Sequence, residues 1–265
     1  MSNLSQGTAL ITGASGGIGA VYADRLAKRG FDLILVARSA ERLNLVAQRI
    51  HEESGRDVRV EVADLANAAD LLRIETLLKN DASVSLLVNN AGFGSKESVL
   101  EANVDEMTAM IDLNVTALTR LTWAAAPVMA ARKRGTIINI ASIVAIAPEL
   151  LNGVYGASKA FVLALSHSLQ HELADAGVRV QAVLPGATAT DFWNIAGVGG
   201  HQNLPQSWVM TTEDMVDAAL AGLDAGEKVT IPSLQEGSEW DTWEADRKAI
   251  SGRLSSTHPA PRYVR

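Results

Sequence analysis

Short runs of Val, Ile and Leu recur along this chain, and the stretches between them have helical length. Thr8–Thr12, Asp32–Ala37, Val58–Val62, Val84–Asn89, Thr136–Ala141 and Val178–Leu184 are largely apolar on both faces, as strands buried in a parallel sheet have to be. Ile18–Arg29, Ala40–Ser54, Asn67–Lys79, Val104–Arg132 and Tyr155–Ala176 fill the gaps as helices, and Lys228–Pro232 offers a seventh strand. Such alternation requires right-handed crossovers, which put helices on both faces of one sheet. The expected fold class is α/β: one doubly wound domain around a mostly parallel, seven-stranded sheet. No linker rich in Pro, Gly or Ser and no repeat interrupts residues 1–232, which are expected to form that domain. Asp191–Met210 is irregular and reads as a lid. Residues 233–265, with Trp240 and Trp243 on a short helix, read as a tail packed on the same domain.

Composition removes several classes of function. The 265 residues contain no Cys, which excludes disulfides, thiolate metal sites and thiol catalysis. A net charge of -7 argues against nucleic acid or an anionic membrane as the main partner. The longest apolar stretches, such as Ile137–Pro148, fall short of the ~18–20 residues a membrane span needs. Met1–Gly7 lacks the pattern of a signal peptide, so a cytoplasmic protein is expected. His167 and His171 share a helix face but lack the Glu of a zinc-protease signature, and no metal site is expected.

Two local patterns carry chemistry. Thr12-Gly13-Ala14-Ser15-Gly16-Gly17-Ile18-Gly19 joins the first strand to the first helix. Glycine there permits positive φ and close approach to the main chain, and the helix aims free N–H groups at the turn, which suits a pyrophosphate. A nucleoside triphosphatase loop would end in Gly-Lys-Ser/Thr, and this turn has no Lys. Further along, Tyr155 and Lys159 stand four residues apart and project from one helix face. An ammonium ~4 Å from a phenol would favour the phenolate by about 4 kcal/mol at an effective dielectric of ~20. That is about three pKa units before screening, enough for proton exchange near neutrality. Ser142 lacks the flanking glycines of a hydrolase elbow, so a nucleophilic role is rejected.

The octapeptide resembles the Thr-Gly-x-x-x-Gly-x-Gly motif of the short-chain dehydrogenase/reductase family, and the resemblance recurs in order. Asp64-Leu65, Asn89-Asn90-Ala91-Gly92, Asn114, Ser142, Tyr155-x-x-x-Lys159 and Pro185-Gly186-x-x-x-Thr190 follow, so that it covers roughly residues 8–232. It implies a Rossmann-type fold and hydride transfer between a nicotinamide and a carbonyl or secondary alcohol. In that reading Tyr155 is the general acid, Ser142 stabilises the carbonyl oxygen, Lys159 tunes Tyr155 and binds ribose hydroxyls, and Asn114 holds a relay water. The cofactor set is Gly13, Ser15, Gly17, Ile18, Gly19, Arg38, Asp64, Leu65, Asn90, Ala91, Gly92, Pro185, Gly186, Thr188 and Thr190, with Tyr155 and Lys159.

At the end of the second strand, Ala37 stands where NAD-preferring relatives commonly carry Asp, and Arg38 follows it. A guanidinium in place of a carboxylate favours NADP(H), with NAD(H) left open because the glycine turn carries no basic residue. Phe93, Val144 and Trp193, with Leu150 and Leu151, suggest a hydrophobic ketone, aldehyde or diketone as the small-molecule partner. A 3-oxoacyl thioester reductase is the alternative, using Arg120, Arg132, Lys133 and Arg134 to dock an acidic carrier. A non-catalytic NADP(H)-sensing module is the second alternative. Relatives pair through their long helices, so a homodimer or homotetramer is expected. Phe161, Leu165, Leu169 and Leu173 form a stripe that faces either a partner or the sheet.

Overall fold

β1 (Thr8–Thr12) has no exposed residue, and its alternate side chains enter two different cores. Ala9 and Ile11 pack on one side of the sheet and Leu10 on the other, so both faces must be covered. The computed structural model describes residues 6–264. After β1 come α1 (Gly17–Lys28), β2 (Asp32–Ala37), α2 (Ala40–Ser54), β3 (Val58–Val62), α3 (Ala68–Asn80) and β4 (Val84–Asn89). The chain continues with α4 (Val104–Ile111), a π-helical turn (Asp112–Ala117), α5 (Leu118–Ala131), β5 (Gly135–Ile140), α6 (Gly153–Glu172) and β6 (Val178–Val183). α7 (Phe192–Ile195), α8 (Thr212–Ala225) and β7 (Val229–Thr230) complete this unit, and α9 (Gly237–Ser251) belongs to a second, Ser233–Arg265.

All seven strands are parallel, in the order β3-β2-β1-β4-β5-β6-β7. The sheet is therefore wholly rather than mostly parallel, because every connection is a crossover. Tyr22 and Leu26 of α1, Leu43 of α2 and Val216 and Leu220 of α8 fill one core. Leu71 and Ile74 of α3, Leu121 and Ala125 of α5 and Leu169 of α6 fill the other. Sheet growth reverses between β1 and β4, and that reversal opens a crevice at the carboxyl ends of the strands.

Two of the expected helices differ from their pattern. Val104–Arg132 is broken by the π-helical turn, where the Asn114 side chain is drawn to the Phe93 main chain and to Ser158. α6 starts two residues early because Asn152 accepts hydrogen bonds from the N–H groups of Val154 and Tyr155. The apolar stripe of α6 faces the sheet at Leu165, Leu169 and Leu173, while Phe161 is exposed.

Residues 191–210 contain one helical turn, α7, and two short 3-10 turns. Both ends of the segment are tied down: Ala189 N–H donates to Met210 C=O at 2.9 Å, and Met210 N–H donates to Ala187 C=O at 2.9 Å. In the second unit Trp240 and Trp243 stack with ring centroids 4.8 Å apart, Trp243 stays exposed, and Glu244 pairs with Arg247 at 2.8 Å. Among the described residues no helix is long and apolar enough to cross a membrane.

Candidate active site

A cavity of about 730 Å³ occupies the crevice at the carboxyl ends of the strands. Gly13, Ser15, Gly17 and Ile18 form one wall, and Arg38 lies at the end of β2 with Asp64 and Leu65 beyond it. Asn90, Ala91 and Gly92 follow β4, and Pro185, Gly186, Thr188 and Thr190 follow β6. Ser142, Tyr155 and Lys159 meet on the wall between these loops, with Val144 and Trp193.

The glycine turn is shaped by backbone requirements. Gly13 and Gly17 have φ of +67° and +52°, a region that side chains disfavour. Asn90 locks the turn, its amide donating to the carbonyl of Thr12 at 2.9 Å. The Thr12 hydroxyl accepts from the N–H groups of Asn90 and Ala91, both at 3.0 Å. α2, α3, α4, α6 and α8 each carry a side-chain N-cap, whereas Gly16 leaves the first N–H groups of α1 uncapped. With no acidic residue in its first turn, α1 aims an unopposed positive dipole end into the cavity. These groups fit the pyrophosphate of a dinucleotide.

The wall that carries Ser142, Tyr155 and Lys159 is buried. Tyr155 and Lys159 are 7% and 6% exposed. Lys159 Nζ donates to the Ile140 carbonyl at 2.9 Å and lies 5.9 Å from the centre of the Tyr155 ring. Burial pushes the Tyr155 phenol up to about 12, against a smaller opposing pull from its hydrogen bond with Ser142. Burial also lowers the Lys159 ammonium to about 8. The expected acidification of the phenol is therefore corrected: in the protein by itself dehydration governs, and the amine is bonded to a main-chain carbonyl.

Three expected site residues sit behind the cavity rather than on it. A side chain at Gly19 would lie 2.4 Å from the Gly13 carbonyl, so this glycine serves helix-to-turn packing. Phe93 is half-buried against Met107, Met110 and Tyr155, and does not line the cavity. Asn114 is buried, and its side chain is engaged three times: it accepts from Phe93 N–H at 3.1 Å and donates to Phe93 C=O at 2.9 Å and Ser158 Oγ at 3.1 Å. It clamps the loop after β4.

Other residues at the site carried no signal that the sequence reading used. Arg42 lies in the first turn of α2, lines the cavity and approaches Asp191 at 3.9 Å. Leu204 and Trp208 from the lid segment reach the cavity, which no periodicity in that segment reveals. A buried polar chain stabilises the sheet beneath: Asn89 donates to Thr122 at 3.1 Å and to Asn139 at 2.9 Å, and Asn139 donates to Ser166 at 3.0 Å.

This fold, with an uncapped glycine turn facing a Ser, Tyr and Lys group across one crevice, defines a nucleotide-dependent oxidoreductase of the short-chain type. The short chain dehydrogenase family profile matches residues 7–197, and the chain belongs to the short-chain dehydrogenase/reductase family. Among solved structures it is similar to a short-chain dehydrogenase from Sphingobium yanoikuyae in complex with NADPH. The two are 45% identical, with a TM-score of 0.93, over 97% of this chain and 100% of that one. It is also similar to the bulky-bulky ketone specific alcohol dehydrogenase from Comamonas testosteroni. There the identity is 42% and the TM-score 0.91, over 99% and 100% of the two chains. An uncharacterized oxidoreductase of Staphylococcus epidermidis is 30% identical over 231 residues, 87% of this chain and 96% of that one.

Proposed function

We propose that this chain is an NADP(H)-preferring carbonyl reductase and alcohol dehydrogenase for ketones with bulky apolar groups on both sides of the carbonyl. The observation that carries this reading is the meeting of Ser142, Tyr155 and Lys159 on one dry wall of the cavity whose opposite end holds Arg38 and Arg42. The two guanidiniums suit a 2′-phosphate, and no carboxylate stands at the end of β2 to repel it. The NADPH held by the Sphingobium relative supports the same choice.

A nicotinamide held in this cavity would supply the hydride. Tyr155 gives its hydroxyl proton to the substrate oxygen as charge develops there, and Ser142 donates a hydrogen bond to that oxygen. The protonated amine of Lys159 stabilises the phenolate left on Tyr155 and holds ribose hydroxyls. Thr190, on the cavity wall, would hold the carboxamide of a bound nicotinamide and so fix which side of the ring meets the substrate. Asn114 acts as a positioning residue through its clamp on Phe93.

Val144, Leu150, Leu151, Trp193, Leu204 and Trp208 give the substrate end apolar walls. Such walls exclude charged sugars and accommodate two large substituents. The specificity named for the Comamonas relative points the same way. Of the basic residues the thioester alternative would use, Arg120 is already paired with Glu75.

A cofactor-oxidation assay tests the reading. Ketones flanked by aryl or branched alkyl groups are expected to exceed acetone-sized ketones in kcat/KM by at least about tenfold, since each apolar methylene is worth ~10-fold or more in a fitted pocket. Faster turnover of a 3-oxoacyl thioester or of a small polar ketone would overturn the substrate assignment.

A further inference from the structure

Three segments converge where Gly94 has no side chain. A Cβ built on Gly94 would lie 2.7 and 3.0 Å from Cζ and Cε2 of Phe192, and 3.1 Å from Cδ2 of Tyr155. The space is taken by the Phe192 ring, whose centre is 5.4 Å from that of Tyr155 at a tilt of 43°. Phe192 also meets Trp193 edge-on at 5.2 Å, and the Trp193 indole N–H donates to the Thr188 carbonyl at 2.8 Å. Main-chain bonds close the arrangement: Lys96 N–H donates to Ala196 C=O at 3.1 Å, and Asn152 N–H to Ser95 C=O at 3.3 Å. Asn152 in turn caps the helix turn that carries Tyr155.

We propose that Phe192 is a positioning residue for the proton donor: seated over Gly94, its ring holds the Tyr155 phenol in place and dry. The residues 191–210 that surround the substrate thus also set the orientation of the acid. Gly94 is not in the positive-φ region, so its backbone tolerates Ala, and the cost of a methyl there comes from the two rings. Lys159 on α6 lies 5.9 Å from the centre of the Tyr155 ring, and Asp191, next to Phe192 in sequence, faces Arg42. The inference rests on Tyr155 being the acid.

The test joins a spectrum of the free protein to a kinetic cycle. With three Tyr in the chain, selectively labelled tyrosine resolves the Tyr155 signal by NMR, assigned with Tyr155→Phe. Phe192→Leu and Gly94→Ala are each expected to shift that signal. Each should lower kcat about tenfold to a hundredfold, with cofactor Kd changed less than about twofold, as misplacement of a reacting group does. In a Phe192→Ala background Gly94→Ala should cost less than it does in the wild type, because one of the two obstructing rings is gone and only the 3.1 Å approach to Tyr155 remains. An unmoved Tyr155 signal in Phe192→Leu, or an equal cost of Gly94→Ala in both backgrounds, overturns the proposal. If Gly94→Ala does not fold, the split between kcat and cofactor Kd in Phe192→Leu decides: an unchanged kcat overturns the proposal. Turnover that survives Tyr155→Phe instead removes the acid assignment beneath it.

Discussion

Replacing Tyr155 with Phe is expected to slow reduction of a bulky ketone about a thousandfold while the affinity for NADPH stays within about threefold. A positioned general acid contributes ~10²–10⁴ in rate. The substitution removes the one hydroxyl assigned to proton donation and leaves the rest of the side chain, which is 7% exposed, in place. The ring itself remains to support Phe192 and the neighbouring apolar cluster. Binding should survive because the groups suited to the dinucleotide, the glycine turn and Arg38, lie elsewhere along the cavity. Steady-state turnover beside a cofactor fluorescence titration checks both halves. Loss of binding in step with activity would show that Tyr155 holds the cofactor rather than the proton.

Arg38→Asp is expected to invert cofactor choice. A hydrogen bond to a charged group contributes ~1.5–3 kcal/mol, which is about tenfold to a hundredfold in affinity. The new carboxylate would also repel a 2′-phosphate and accept a hydrogen bond from a 2′-hydroxyl. Together these predict a fall of about a hundredfold or more in kcat/KM for NADPH and a gain of several-fold for NADH. Arg42, on the same edge of the cavity, keeps part of the phosphate affinity, so the variant should retain measurable NADPH turnover. Parallel kcat/KM values with the two cofactors read the result. Unchanged selectivity would move the phosphate away from the end of β2.

The fold was legible because burial on both faces of the sheet leaves a direct trace in sequence. β1, β2 and β4 begin and end where their apolar runs do, whereas β3, at the sheet edge, alternates Val with Arg59 and Glu61 and has no buried residue, so burial on both faces does not hold for it. Ser142, Tyr155 and Lys159 were legible because short motifs tie them to a strand end and a helix face. What pattern could not show depends on groups that are distant in sequence. The π-helical turn at Asn114 exists because Phe93 and Ser158 bond that side chain, and no periodicity records them. The protonation state of the acid was misjudged for a related reason. Helix spacing places Lys159 near Tyr155, but the Ile140 carbonyl that binds the amine comes from β5. Desolvation is a property of the assembled wall, not of any segment within it. Residues 191–210 are the extreme case: Leu204 and Trp208 line the cavity through irregular backbone with no repeating pattern.

The central claim is that Tyr155 donates the proton with the charge of Lys159 behind it, and the pH dependence of reduction at limiting NADPH tests it most directly. Under that condition kcat/KM reports the groups of the free protein. Burial holds the Tyr155 phenol at about 12, so the acid stays protonated through the working range. Lys159, lowered to about 8, is charged below that value and neutral above it. The predicted profile is therefore flat on the acid side of pH 8 and falls about tenfold per unit above it, as one essential proton is lost. A rate that holds level to pH 10 would contradict the account.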